Sequence, residues 1–181
     1  MIYRVLFYNS GGGIGDAIQI LPLINTLKKE FNSAKFYYLC AHKNHFNSTL
    51  VDFNNKIETL DLGIKYFGFR WWHSLIVKNK IKKYDVKKFD LIIDLQSKIR
   101  NSLILKMIPH EDFISSCLNF KFSKPKINVK KEKKINNRIL KAINFLYQKE
   151  FKLVDFDLKK IDKKFFTESE KLLPKNNYVG F

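Results

Sequence analysis

The sequence predicts an α/β domain, a Rossmann-like parallel sheet with helices on both faces. Short apolar runs alternate along the chain with segments whose apolar residues recur every three or four positions. In addition, the first apolar run ends in a glycine-rich loop that opens a helix. At 181 residues the chain is long enough to bury one good core, so one domain is expected.

The amino-terminal unit shows this pattern first. Tyr3 to Tyr8 is short, β-branched and aromatic, as in a buried strand, and glycines follow it. From Ile14 the apolar spacing becomes that of one helix face, which ends near Phe31. Pro22 lies inside this helix, so a kink is expected there.

The alternation continues through the rest of the chain. The clearest strand is Phe89 to Gln96, an apolar run that ends on acid and amide side chains. Further strands are predicted at 35–40, 56–62 and 111–118, and further helices at 42–54, within 66–84, and at 97–108, 135–149 and 163–173. A polar, basic connector occupies 121–134.

The last residues suggest a domain boundary. Pro174 to Asn177 is typical of a turn, and the following Tyr-Val-Gly-Phe resembles the opening of another buried strand. We therefore expect residues 1–173 to form one domain and residues 174–181 to begin a second.

Composition narrows the class of protein. Apolar residues make up 45% and aromatic residues 15% of the chain, which excludes general disorder. No apolar run approaches the roughly 20 residues of a membrane span, and the amino terminus lacks the basic head of a signal peptide. A cytoplasmic protein is expected. Cys40 and Cys117 form no C-x-x-C pair, and His42 and His45 lack an evident third ligand, so no metal is expected.

The net charge is +17 and unevenly distributed. Residues 121–164 hold 15 Lys and Arg against 5 Asp and Glu. Such a surplus attracts nucleic acid, anionic lipid headgroups or phosphorylated sugars. The chain is also rich in Lys, Asn, Ile and Phe together, as an AT-rich genome would make it, so charge alone does not choose the partner.

The glycine loop fits neither common nucleotide-binding motif. Walker A requires a lysine after its last glycine, and none is present. The dinucleotide fingerprint requires a third glycine at position 16, where the chain has Asp16. A strand, a glycine loop and a helix remain, whose backbone N–H groups favour an anion.

Asp16 has two interpretations. As an acid in the first helical turn it is favoured by the helix dipole, by about 0.3–1 kcal/mol, with no chemical role. Alternatively, it is a general base at the carboxyl end of the first strand, where open α/β sheets bind their ligands.

A second group of candidate residues follows the strand at 89–96. Asp94 and Gln96 end this strand, and Arg100 lies about one turn into the next helix. Strand ends and helix starts line the same crevice, so these side chains could face Asp16. The alternatives are a cap or loop hydrogen bond for Asp94 and a surface cation for Arg100.

These two segments together resemble the ADP-heptose:lipopolysaccharide heptosyltransferases, glycosyltransferase family 9. The family has a first strand, a GGIGD loop and a helix with a proline, here RVLFYNSGGGIGDAIQILPLINTLKKEF, and later an FDLVIDLQG…R segment, here FDLIIDLQSKIRNSL. The resemblance covers essentially the whole chain, as the amino-terminal half of a family member. Two positions depart from the pattern: Ser10 stands where the family usually has Arg or Lys, and Ser97 where it has glycine.

The resemblance implies a GT-B architecture in which this half mostly binds the acceptor. Asp16 would be the catalytic base of an inverting transfer, and Gly12, Gly13 and Gly15 would let acceptor and donor phosphates approach the backbone. Substrate contacts are expected from Asp94, Gln96 and Arg100. The donor would be a nucleotide-sugar, with an ADP-sugar as the leading candidate. The reaction would need no cofactor and no metal. The acceptor would be a lipid-linked glycan, and the chain alone would be inactive because the donor-binding half is absent.

Lipid-linked acceptors favour a membrane contact at the inner face of the cytoplasmic membrane. Phe67 to Lys83 is the candidate segment, because aromatic residues precede lysines there; the alternative is that Trp71 and Trp72 pack in the core. Two other functions remain open, a basic nucleic-acid-binding α/β module and a catalytically inactive binding half. We do not expect nucleic acid, because no recognition motif accompanies the basic segment.

Overall fold

A computed structural model describes residues 2–9, 13–40, 44–51, 56–64, 70–84, 86–130, 132–154 and 163–172. In this part of the chain five strands form one sheet, and every neighbouring pair is parallel. The strands are β1 (Arg4–Asn9), β2 (Lys35–Cys40), β3 (Ile57–Leu60), β4 (Phe89–Asp94) and β5 (His110–Ser115). Their order across the sheet is β3-β2-β1-β4-β5, so the Rossmann-like prediction is confirmed.

Helices α1 (Ile14–Gln19), α2 (Leu21–Glu30), α3 (His73–Ile81), α4 (Ile99–Leu105) and α5 (Ile135–Tyr147) cover both faces of the sheet. A further helix, α6, spans Lys163–Leu172. One core layer joins α1, α2 and α5 to the sheet face that carries Phe7 and Phe36, whose rings stack with centroids 6.2 Å apart. The other layer joins α3 and α4 to the face that carries Leu6, Tyr8 and Ile92. None of the described helices combines the length and apolar character that crossing a bilayer requires.

The predicted kink at Pro22 takes the form of a break between two helices. α1 ends at Gln19, and Pro22 occupies the first turn of α2. A first-turn proline loses no intrahelical hydrogen bond, because the first N–H groups of a helix have no partner in it. Thr26, one turn later, donates a 2.7 Å hydrogen bond from Oγ1 to the Pro22 carbonyl oxygen.

Two sequence-based expectations need correction. In the predicted helix at 42–54 the described residues form no α-helix, and His45–Asn47 is a 3₁₀ turn. The Asn44 side chain accepts from the Phe46 N–H and holds the chain in this tight turn. The core alternative for the tryptophans is also wrong: 76% of Trp71 and 38% of Trp72 are exposed. The neighbouring residues 65–69 lie outside the described part.

The basic connector meets the edge of the sheet at Lys124. Lys124 and Phe113 exchange two backbone hydrogen bonds, of 2.7 and 2.8 Å, in an antiparallel bridge. This bridge covers part of β5, whose outer edge would otherwise present unpaired backbone groups.

Candidate functional site

The strand order places the switch point of the sheet between β1 and β4. The chain leaves β1 towards β2 on one side and leaves β4 towards β5 on the other. Open α/β sheets bind ligands in the crevice that this reversal creates, outside the carboxyl ends of the strands. Asn9 ends β1 and Asp94 ends β4, and Asp16 and Gln96 follow them closely in the chain. The topology therefore brings both predicted groups of residues to one edge. Gly12 lies outside the described residues.

Asn9 joins the two groups. Its side chain is 3% exposed, its Oδ1 accepts a 2.6 Å hydrogen bond from Nε2 of Gln96, and its Nδ2 donates to the backbone oxygen of Asp16 at 3.3 Å. The last residue of β1 thus connects the loop after β4 to the first turn of α1. The sequence interpretation did not single out Asn9, although a polar residue at the end of a buried strand was a usable signal.

Tyr38 completes the surroundings of Asn9 from β2. Its hydroxyl is hydrogen-bonded to the Asn9 side chain and senses the charge of Asp16. Burial is the largest cause that raises the pKa of Tyr38 well above its ordinary value. Tyr38 therefore remains a neutral hydroxyl that supports the Asn9 amide.

Asp16 lies in the first turn of α1 and is exposed. A general base must reach a substrate hydroxyl, and an exposed carboxylate at the mouth of the crevice can do so. A Cβ atom on Gly13 would lie 3.9 Å from Oδ2 of Asp16, and one on Gly15 would meet nothing within 4 Å. Both glycines therefore keep open space next to the carboxylate.

Asp94 is turned away from solvent. Its side chain is 0% exposed; Oδ1 accepts from the Gln96 N–H at 2.9 Å, and Oδ2 accepts from the hydroxyls of Ser102 and Ser115 at 2.6 and 2.8 Å. Burial raises the pKa of this carboxyl from 3.8 to about 6, although the three hydrogen bonds act in the opposite direction. This geometry favours the loop hydrogen bond that the sequence left open over direct contact with a substrate.

Gln96 and Arg100 differ in how firmly they are held. Gln96 is half-buried and bonded at both its backbone and its side chain. Arg100 is exposed in the first turn of α4, a position suited to a surface cation as well as to a ligand contact. The role of Arg100 in substrate binding stays a prediction.

Arg138 is a residue that sequence reasoning missed. Its Nη2 donates to Oγ of Ser97 at 3.4 Å, and Asn136 of the same helix donates to the Gln19 carbonyl oxygen at 2.7 Å. These contacts place the first turns of α5 beside the loop after β4 and the end of α1. The Nε of Arg138 is buried and has no hydrogen-bond partner among the described residues. The site thus gains a cation, although Ser10 leaves the glycine loop without one.

Metal-ligating residues do not cluster in the described part of the chain: no three His, Cys, Asp or Glu side chains there could hold one ion. His42, half of the H-x-x-H pair, lies outside that part. The sequence-based expectation of a metal-free reaction stays a prediction.

The fold of this chain is similar to about half of the chain in several solved glycosyltransferase structures. E. coli heptosyltransferase WaaC solved with ADP-2-deoxy-2-fluoro heptose aligns with a TM-score of 0.60 at 16% identity, over 95% of this chain and 55% of that one. The same enzyme solved with ADP aligns with a TM-score of 0.59 at 13% identity, over 85% of this chain and 50% of that one. A family 9 glycosyl transferase from Veillonella parvula DSM 2008 aligns with a TM-score of 0.53 at 16% identity, over 94% of this chain and 51% of that one.

These likenesses confirm the predicted fold, and they match the resemblance noted in the sequence. The chain spans about half the length of the solved structures it matches. No protein-family model matches the sequence, and no curated protein does so significantly.

Proposed function

We propose that this chain forms the acceptor-side half of an inverting glycosyltransferase. The enzyme would transfer a sugar from a nucleotide-sugar donor to a lipopolysaccharide or other surface-glycan acceptor. An ADP-sugar is the leading candidate for the donor. One observation carries the proposal: an exposed carboxylate, Asp16, stands at the carboxyl edge of β1 in a fold shared with heptosyltransferases. Two of those structures were solved with ADP and with ADP-2-deoxy-2-fluoro heptose, which supports a nucleotide-sugar donor.

In this reaction Asp16 accepts the proton of an acceptor hydroxyl. As the hydroxyl oxygen forms its bond to the anomeric carbon, the bond from that carbon to the donor phosphate breaks on the opposite face. The nucleoside diphosphate leaves with the bonding electron pair, and the configuration at carbon is inverted. General base catalysis of this kind contributes about 10²–10⁴-fold to a rate. The proposed step uses neither a cofactor nor a metal.

The other residues of the edge would position the reactants. The Asn9 and Gln96 pair holds the first turn of α1, and with it Asp16, against the loop after β4. Gly13 and Gly15 leave room for the sugar or the phosphates beside the carboxylate. Arg138 and Arg100 supply positive charge for anionic groups of the ligands.

The experiment is a transfer assay on the complete gene product. Labelled ADP-heptose is supplied with a lipid-linked inner-core acceptor, and both ADP release and labelled lipid are followed. We expect transfer with inversion from the complete protein and none from the 181-residue chain alone. Failure of a folded complete protein to use any nucleotide-sugar would contradict the proposal.

A further inference from the structure

Large apolar side chains are exposed along the outer side of α3 and α4. They alternate with buried residues of the same helices, such as Val77 and Ile104, which face the sheet. The two helices pack against each other on one face of the sheet, so their outer sides form one continuous surface. We name it the α3–α4 surface; its exposed apolar members are Trp71, Trp72, Leu75, Ile99, Leu103 and Met107.

The charged side chains of the two segments that form this surface are all cationic. Residues 70–84 and 95–108 contain no Asp or Glu. Their exposed charged side chains are Arg70, Lys78, Lys82, Lys83, Lys98 and Arg100. Apolar side chains that are surrounded by cations, with no acid among them, are complementary to a surface that is both anionic and apolar.

One end of this surface lies at the same edge of the sheet as the candidate site. In a parallel sheet each helix returns from the carboxyl edge to the amino edge, so α3 and α4 begin at the edge that carries Asp16. The far end of α3 confirms this direction: Lys78 and Lys82 line a cavity of about 310 Å³ together with Val86 and Pro109, which precede β4 and β5. Trp71, Trp72 and Ile99 therefore lie towards the edge of the sheet that carries Asp16.

We propose that the α3–α4 surface docks the protein on an anionic lipid bilayer, with the crevice opening beside the headgroups. Tryptophan is enriched at membrane interfaces, and Leu75 and Leu103 can insert between acyl chains. A single-stranded nucleic acid would use the two tryptophans for base stacking but would gain nothing comparable from leucine, isoleucine and methionine. A second copy of the chain would bring cations against cations.

The inference rests on the proposed function only for its consequence, which is that a lipid-linked acceptor is presented to Asp16 at the membrane. Bilayer binding itself does not require sugar transfer. Asp16→Asn is accordingly expected to bind vesicles as the unchanged protein does, so that loss of transfer and loss of docking are separate results.

Intrinsic fluorescence tests the surface directly, because Trp71 and Trp72 are the only tryptophans of the chain. The purified chain is titrated with phosphatidylcholine vesicles containing or lacking about a third phosphatidylglycerol, and vesicle-bound protein is also measured by sedimentation. We expect a blue shift, reduced acrylamide quenching, and partitioning at least tenfold stronger on the anionic vesicles.

Paired variants separate the apolar and electrostatic contributions. Trp71→Ala with Leu75→Ser, and separately Lys78→Glu with Lys82→Glu, should each weaken sedimentation with anionic vesicles about tenfold or more. Phe145→Ala with Val51→Ser, and Lys121→Glu with Lys126→Glu, make matched changes at exposed positions outside the α3–α4 surface and should have little effect. Circular dichroism and thermal unfolding verify that each variant folds.

Four results would overturn the proposal. The first is the absence of vesicle binding by the folded chain. The second is binding without any change in tryptophan emission, and the third is binding that the control pairs weaken as much as the surface pairs do. The fourth is tight binding of a single-stranded oligonucleotide, lost in Trp71→Ala, without binding to vesicles; this would assign the surface to nucleic acid instead.

Discussion

The side-chain amide of Gln96 donates a 2.6 Å hydrogen bond to Oδ1 of Asn9, across 87 residues of sequence. This bond ties the end of β1 to the loop after β4 at the switch point of the sheet. Because Asn9 also donates to the backbone oxygen of Asp16, the pair holds the turn of α1 that carries the proposed catalytic base. The geometry of the site thus depends on two neutral amides that are themselves not reactive.

Gln96→Leu removes the donor of this hydrogen bond to the buried Asn9 side chain. Loss of a hydrogen bond within a protein costs about 0.5–1.5 kcal/mol, so we expect a decrease of that size in the free energy of unfolding by urea. Gln19→Leu makes the same change on the exposed side of α1 and should stay within about 0.5 kcal/mol of the unchanged protein. Equal stability of the two variants would show that the bond contributes nothing.

Asp94 makes stability depend on pH in an unusual direction. Because burial raises its pKa to about 6, the folded state holds a proton that the unfolded state releases between about pH 4 and 6. The stability that this proton contributes is fully present below about pH 4 and is lost as the pH rises through about 6. The free energy of unfolding should fall by about 1–3 kcal/mol over this range. The difference between the unchanged protein and Asp94→Asn, measured by urea unfolding from pH 4 to 7, isolates it from other titrating groups. A flat difference for Asp94→Asn would refute the assignment.

Gly15→Ala should have opposite effects on the stability of the protein and on its transfer activity. Gly15 lies in α1, and an added Cβ would meet no protein atom within 4 Å, so alanine should stabilise the helix by about 0.5–1 kcal/mol. If a sugar or phosphate approaches this backbone, the same change should lower transfer at least tenfold. Asn79→Ala, on the exposed side of α3, is the matched gain in helix propensity and should leave transfer intact. Full activity of Gly15→Ala would remove the glycine from the substrate site.

Arg138→Gln tests the cation supplied by α5. If the guanidinium binds an anionic group of the acceptor, the acceptor KM should rise about tenfold while kcat changes little, since the interaction is present before and during the reaction. Arg138→Lys should recover part of the binding, because it restores the charge without the planar fork. Lys149→Gln removes an equal charge at the far end of the same chain segment and serves as control. An unchanged KM in Arg138→Gln would show that Arg138 does not bind the acceptor and only contacts Ser97.

The sequence was sufficient for the alternation of elements and for the edge at which the site lies. The strand at 35–40 was predicted with its observed bounds, because its residues are apolar and aromatic on both faces. Asn9 and Arg138 were missed because their partners are 87 and 41 residues away, and only the strand order and the docking of α5 bring them together. The burial of Asp94 also depends on packing: it shares a sheet face with Ile92, which α4 covers and to which Ser102 contributes a hydroxyl.

The role of Asp16 as catalytic base is tested most directly by kcat of Asp16→Asn in the complete protein, with labelled ADP-heptose and a lipid-linked acceptor. The amide has nearly the same shape as the carboxylate but cannot accept the acceptor proton, so kcat should fall by about 10²–10⁴-fold while the affinities for donor and acceptor are kept. Glu30→Gln, an exposed acid at the end of α2, should leave kcat unchanged. If Asp16→Asn turned over at close to the unchanged rate, Asp16 would be no more than a first-turn acid that stabilises α1.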